Sequence, residues 1–281
     1  MNDIEYFAHS GISNSKIKDY EKSPLHFYEK HVIKTTEEPD KDCFRIGRAA
    51  HCLALEPDKF SERFIVLPDI NRRTNAGKAE YTQLVQKAAL QGADIVTQDE
   101  LVAFKAMADR MLSKSISRFI FEHAEFEKPI IVKCPRTGLE RKIKPDISIP
   151  PGVVAELPFG LLADYKTTQD ASYDGFNKSI WNLKYDYQDA YYTDTWCINY
   201  GLNPDKEMPL FVFIPVEKSA PYDCNFIELS REDKRNTLDC VILPILDKIA
   251  ESFNTNIWHG YDKLIKVSKK PAYINRNYKG I

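Results

Sequence analysis

The chain has 281 residues, with 39 Lys and Arg against 41 Asp and Glu, for a formal charge of −2. A chain of this length buries about three quarters of the surface that it exposes when unfolded, so its core needs no disulfide or structural metal. With 43% hydrophobic and 28% charged residues, and no apolar run near the roughly 18 to 20 residues of a membrane span, a wholly disordered chain and a helical membrane protein are both excluded.

Residues 1–10 carry neither the basic nor the apolar segment of a secretory signal, so a cytoplasmic protein is expected. Ser13 is placed to cap a helix bearing Ile17 and Tyr20. That helix should stop near Ser23-Pro24, because the residue before a proline is pushed out of the α region. After a polar, acidic stretch over 35–42, Phe44, Gly47, His51, Ala54 and Leu55 recur at helical spacing and set His51 in an apolar stripe. A basic loop over 71–78 precedes two amphipathic helices. One runs around Leu84, Val85 and Ala88, the other through Leu101, Phe104, Ala108, Met111 and Leu112.

The pattern changes near residue 126. Residues 130–132, a turn-like Pro135-Arg-Thr-Gly138 and residues 139–149 read as a β-hairpin. Its second strand would set Leu139, Arg141, Ile143, Pro145, Ile147 and Ile149 on one face, and Glu140, Lys142, Lys144, Asp146 and Ser148 on the other. A third strand is expected over 161–167, helices over 181–200, a strong strand over 210–216, a weaker one over 225–229, and a long helix from Ser230. Ser230-Arg-Glu-Asp233 resembles a capping box closed by Asp, and Pro244 predicts a kink. No repeat or low-complexity linker divides the chain. One domain is expected, mainly helical over 1–125, with a sheet core over 126–230 and a C-terminal helix and basic tail over 231–281.

Charge is segregated along the sequence. Residues 261–281 hold Lys263, Lys266, Lys269, Lys270, Arg276 and Lys279 against Asp262 alone, which leaves +5 there and −7 on the rest. Such a strip suits a polyanion held in one groove, or is a solvated tail. Cys43, Cys52, Cys134, Cys197, Cys224 and Cys240 form no C-x-x-C pair and read as free packing thiols. Trp181, Trp196 and Trp258 read as core. Gly77-Lys78 lacks the earlier glycine of a phosphate-binding loop, which excludes an NTPase.

Asp146 lies eighteen residues before Asp164, and Lys166 two beyond it. Side chains two apart on a strand share a side, so Asp164 and Lys166 face one space, which Asp146 joins if its strand lies alongside. Converging buried carboxylates repel unless a proton or cation intervenes, and Mg²⁺ favours such oxygens. A neighbouring lysine would orient or help deprotonate a water. An Asp164–Lys166 salt bridge is the plain alternative.

Pro145-Asp146, Asp164-Tyr-Lys166-Thr-Thr and Gln188-Asp-Ala-Tyr-Tyr192 resemble the PD-(D/E)XK nuclease superfamily with its downstream Q-x-x-x-Y motif. Phe44-Arg-Ile-Gly-Arg-Ala-Ala-His51 is similar to the upstream histidine helix of the RecB-like branch. Ser10-Gly-Ile-Ser-Asn-Ser15, His51-Cys-Leu-Ala-Leu-Glu-Pro57, Arg72-Arg-Thr-Asn-Ala-Gly-Lys78 and Lys166-Thr-Thr-Gln-Asp-Ala-Ser172 together resemble the exonuclease VIII (RecE-type) nuclease domain of phages and prophages.

The resemblance implies an α/β PD-(D/E)XK fold, a central mixed β-sheet flanked by helices with an added helical N-terminal region. It implies a Mg²⁺-dependent exodeoxyribonuclease, Mn²⁺ substituting, that digests linear double-stranded DNA from a 5′ end. The 3′ overhang would pass to a single-strand annealing protein, and the enzyme would be a homotetrameric ring with no membrane partner. Carried over by motif, His51, Asp146, Asp164 and the Tyr165 carbonyl would bind metal, and Lys166 would serve the nucleophilic water. Gln188 and Tyr192 would hold substrate or the lysine, and Glu127 matches an acidic position in the first strand. His51, Gln188 and Tyr192 have a packing role as their alternative. Arg72, Arg73 and Lys78 fit phosphate contacts or a solvated loop. A related endonuclease or single-strand nuclease, and a non-catalytic DNA-end-binding scaffold, are the competing functions. The cysteine cluster of iron–sulfur relatives is not expected, because Cys240 is the last cysteine.

Overall fold

Capping side chains set the helical first third. In the computed structural model, which describes residues 1–35 and 42–261, α1 (Asp3–Ala8) opens on a capping box between Asn2 and Glu5. Ser13 caps α2 (Asn14–Lys22), and Ser23 ends it ahead of Pro24, the first residue of α3 (Pro24–Phe27). A π turn over Tyr28–Val32 follows. Most of the acidic stretch over 35–42, and the basic tail, lie outside the described residues. α4 (Asp42–Leu55) carries His51, and α5 (Phe60–Arg63) leads into β1 (Phe64–Val66). Thr74 caps α6 (Asn75–Gln91), so the helix begins inside the expected basic loop and takes Lys78 into its first turn. β2 (Asp94–Val96) pairs in parallel with β1, a pairing too short to read from the sequence. α7 (Gln98–Leu112), opened by a Thr97–Glu100 capping box, and α8 (Ser115–His123) complete the region.

The strands that follow are β3 (Glu125–Phe126), β4 (Ile130–Lys133), β5 (Glu140–Ile143), β6 (Ile147–Ile149) and β7 (Leu161–Thr168). α9 (Tyr173–Asn182) and α10 (Tyr185–Tyr200) then lead to β8 (Leu210–Glu217). The main sheet has the order β3-β6-β7-β8, with β7 and β8 parallel and the other pairs antiparallel. It is the mixed sheet expected.

The hairpin differs from expectation. What reads as one strand over 139–149 is two: β5 pairs with β4, while β6 joins the main sheet. Pro145, with no N–H for a ladder, sits at the break. Nor does the polar alternation mark a solvent face, since Arg141, Lys142 and Ile143 are all buried. Arg141 pairs with Asp194 at 2.5 Å, and the Lys142 ammonium donates to the carbonyls of Tyr6 and His9. Both cations find partners in place, although the buried Arg141 Nε–H has none.

Residues 225–229 form only isolated bridges, Ile227 to Phe213 and Cys224 to Val216, rather than a strand. The long C-terminal helix is broken into α11 (Arg231–Thr237), a π segment (Leu238–Ile242) and α12 (Leu243–Thr255). The change falls just before Pro244, which offers no N–H to the ladder. Ser230 accepts the Asp233 N–H, but Asp233 receives the Ser230 hydroxyl, which leaves half a capping box.

Each face of the sheet has its own core. Ile147, Ala163, Tyr165, Val212 and Ile214 pack on Ala49, Ala50, Phe104, Met107 and Met111 of α4 and α7. On the opposite face, Leu162, Phe211 and Phe213 meet Phe176 and Ile180 of α9 and Trp196 of α10. A third cluster joins Ile17 and Tyr20 of α2 to Tyr187 and Tyr191 of α10 and to Leu246 and Ile249 of α12, which clamps α2 onto α10. Trp196 is core and Trp258 stacks on Phe27, but Trp181 is 46% exposed, unlike its expectation. Cys52, Cys134, Cys197 and Cys224 are buried free thiols, whereas Cys240 is exposed. Among the described residues no helix is long and apolar enough to cross a membrane.

Candidate active site

Strand register gathers the acidic groups. Glu125 lies opposite Ser148 and Phe126 opposite Ile147, so one further step sets Glu127 against Asp146, whose carbonyl accepts the Glu127 N–H at 3.1 Å. β6 in turn pairs Ile147 with Ala163, and the Tyr165 N–H donates to Asp146 Oδ2 at 2.9 Å. Asp164 and Lys166 share a face of β7, as period-two geometry requires, with Nζ 2.5 Å from Oδ2. From the opposite layer, α4 brings His51 Nε2 to 3.1 Å from Asp146 Oδ2 and 3.2 Å from Glu127 Oε1. The site therefore lies where β3 and β6 end beside the middle of β7.

Glu127 holds a left-handed backbone, φ 54°, which disfavours a residue with a side chain. Lys144 fixes it from outside. Its ammonium pairs with Glu127 and, at 2.7 Å, with Asp3 of α1. A strained conformation of this kind persists only where the surroundings determine it, and such residues cluster at functional sites.

One ligand atom each from His51, Glu127 and Asp146 lies within 4.8 Å of the others. Asp164 is outside that triad. Its Oδ1 accepts from the Gln188 amide, and its buried Oδ2, facing Lys166, makes no hydrogen bond of regular geometry. An imidazole nitrogen, two facing carboxylates and an under-satisfied third carboxylate fit a divalent cation.

The electrostatics point the same way. Burial opposes the imidazolium, yet Asp146 and Glu127 outweigh it and raise His51 to about 9. Burial also lifts Asp164 to about 6, with Asp146 reinforcing and Lys166 opposing. Glu127 is raised by burial and by Asp146, whereas Asp146, against its burial, is lowered by His51. Lys166, against its burial, is raised by Asp164 and Asp146. Two ammoniums and one imidazolium thus face three carboxylates. A cation bound to His51 must displace its proton.

Gln188 contacts Asp164 rather than Lys166. Tyr192, one helical turn on, packs its ring edge against Phe211 at 6.3 Å, and burial raises it well above an ordinary phenol. Tyr165 meets the site through its N–H, while its ring joins the core on the α4 side. Arg72, Arg73 and Lys78 are exposed around the start of α6, with Arg72 5.0 Å over the Tyr81 ring, and they are not part of the carboxylate cluster. Two neighbours escaped sequence reasoning. Lys144 stands two residues before Asp146, and that alternation was its only signal. Tyr185, three before Gln188, stacks on Phe213 and Phe176 and carries the Lys166 ammonium 5.0 Å from its ring centroid.

The chain as a whole has known counterparts. The profile of the family described as a PDDEXK-like domain of unknown function (DUF3799) matches residues 13–258. No curated protein matches the sequence. A crystal structure from Eubacterium rectale, described as a "putative exonuclease", has a TM-score of 0.60 to this chain at 14% identity, covering 100% of this chain and 99% of that one. That likeness is one of fold. With that profile matching most of its length, the chain belongs to the DUF3799 family of PDDEXK-like domains.

Proposed function

We propose that the chain is a Mg²⁺-dependent exodeoxyribonuclease, Mn²⁺ substituting, that digests linear double-stranded DNA 5′ to 3′. It would act in the cytoplasm and leave 3′ overhangs for a single-strand annealing protein. The observation that carries this reading is the meeting of His51, Glu127 and Asp146 with the Asp164–Lys166 pair of β7. His51, Glu127 and Asp146 would hold the cation, with Asp164 beside them. When bound, the cation supplies charge neutralisation at the phosphate and an activated water.

The chain's own groups do the positioning. Lys166 is held between the Asp164 carboxylate and the Tyr185 ring and keeps its proton at neutral pH, so it acts as a donor that orients water or a phosphate oxygen. Gln188 fixes the rotation of the Asp164 carboxylate through Oδ1. Lys144 holds Glu127 toward His51. Arg72, Arg73 and Lys78 offer exposed phosphate contacts away from the centre.

A time course on end-labelled linear duplex, run with Mg²⁺ and with chelator beside a covalently closed circle, tests the reading. Mg²⁺-dependent release from the linear duplex alone is expected. Equal cutting of the circle would make the enzyme an endonuclease, and no Mg²⁺-dependent cutting would favour a DNA-end-binding scaffold.

A further inference from the structure

Lys18 sits on α2, outside the sheet, yet it reaches the edge of the site. Its ammonium donates to the Leu183 carbonyl at 3.0 Å and lies 5.9 Å from the centroid of the Tyr185 ring, the ring that also carries Lys166. That platform is stiff. Phe176 and Phe213 stack against Tyr185, while Glu21, one turn along α2, receives the Lys184 ammonium and, at 2.7 Å, the Tyr187 hydroxyl. α2 is thereby pinned to the joint between α9 and α10, where Lys184 takes a left-handed backbone, φ 55°.

The two lysines differ in their counter-ions. Lys166 has Asp164, whereas Lys18, among the described residues, meets a carbonyl and a ring but no carboxylate at ion-pair distance. A partly buried ammonium with only a carbonyl and a π face is poorly compensated for the water it has lost. Consistent with that, burial and the nearby Lys166 hold Lys18 down at about 8, with the more distant Asp186 and Asp164 opposing. Because Lys18 and Lys166 share one ring, at 5.9 and 5.0 Å from its centroid, a strand whose phosphate faced Lys166 would carry a neighbouring phosphate toward Lys18.

We infer that Lys18 binds a backbone phosphate of the DNA strand held at this site, adjoining the phosphate that faces Lys166; the inference rests on the nuclease reading above. A phosphate oxygen would give the ammonium the charged partner that the fold withholds. A purely structural role is the competing account, since Lys18 also ties α2 to the end of α9.

The test measures binding of a labelled linear duplex by fluorescence anisotropy, with Ca²⁺ in place of Mg²⁺, across a range of NaCl for wild type, Lys18→Met, Lys18→Gln and Lys18→Arg. Each variant is also melted to establish its fold. Lys18→Met should weaken binding about tenfold and make the slope of log K against log salt shallower by about one. Lys18→Arg should keep the wild-type slope, and Lys18→Gln replaces Lys18→Met if the latter does not fold. A folded uncharged variant with wild-type affinity and slope overturns the assignment while leaving the nuclease reading intact. Failure of the wild type both to cut and to bind linear duplex overturns the nuclease reading, and this inference with it.

Discussion

Glu127 is the residue on which the character of the ion site turns. The sequence marks Asp146, Asp164 and Lys166 clearly, because two-residue alternation puts Asp164 and Lys166 on one side whatever the surrounding fold. Glu127 is faint in the sequence, since its part depends on the β3–β6 register and on a left-handed backbone that no local pattern demands of a glutamate. In the structure Glu127 and His51 join Asp146 in the three-donor cluster, while Asp164 is engaged by Lys166 and Gln188. The two acids should therefore fail differently. Glu127→Gln should weaken Mn²⁺ binding, measured by titration without DNA, about tenfold or more. Asp164→Asn should weaken that binding less, yet slow Mg²⁺-dependent cleavage about a hundredfold or more, with its melting transition preserved. A larger loss of Mn²⁺ affinity in Asp164→Asn than in Glu127→Gln would move the third ligand to Asp164.

Among the elements, α10 connects the site to the rest of the chain, and it does so with a polar interior. Asp189 is fully buried, accepts the Thr193 hydroxyl at 3.0 Å on Oδ1, and faces Lys234 of α11 at 3.5 Å on Oδ2 without a hydrogen bond. Burial raises Asp189 to about 7, with Lys234 opposing and Glu228 reinforcing. The ordinary aspartate value, which the unfolded chain keeps, is 3.8. Between those two values the folded chain holds a proton that the unfolded chain has released, so this stabilisation is complete at low pH and fades as pH rises through about 7. Asp189→Asn keeps an acceptor for Thr193 and removes the titration. In denaturant unfolding at pH 4.5 and 7.5, the variant should gain on wild type at the higher pH, by an amount of the order of a few kcal/mol. The opposite trend would mean that Lys234 keeps the carboxylate ionised. At this scale the sequence is legible where apolar residues form a helical stripe, as in α2, α4 and α7, or a continuous run, as in β7 and β8. It is misleading where charged side chains are buried. The alternation over 139–149 looks like one half-exposed strand, but the buried Arg141 and Lys142 find Asp194 and backbone carbonyls inside the fold, and Pro145 divides the segment between two sheets.

Charge poses the question at the scale of the whole molecule. A chain of net charge −2, with +5 confined to its last 21 residues, has little general attraction for DNA, so retention of a long substrate needs either a local basic strip or enclosure. The two differ in their response to salt. Contacts from a strip are weakened by each increment of salt, because binding there is driven by counter-ion release. A closed ring retains DNA topologically, so once threaded its run length should respond to salt far less than its rate of first binding. We expect a mass of four chains by light scattering. With a polyanion trap added after loading, product lengths should stay nearly constant between 50 and 200 mM salt, while first-binding affinity falls by about 10³-fold or more over the same range if six or more phosphates are contacted. A monomeric mass with run lengths that shorten in step with affinity would instead assign retention to the basic strip, and the ring would have to be abandoned.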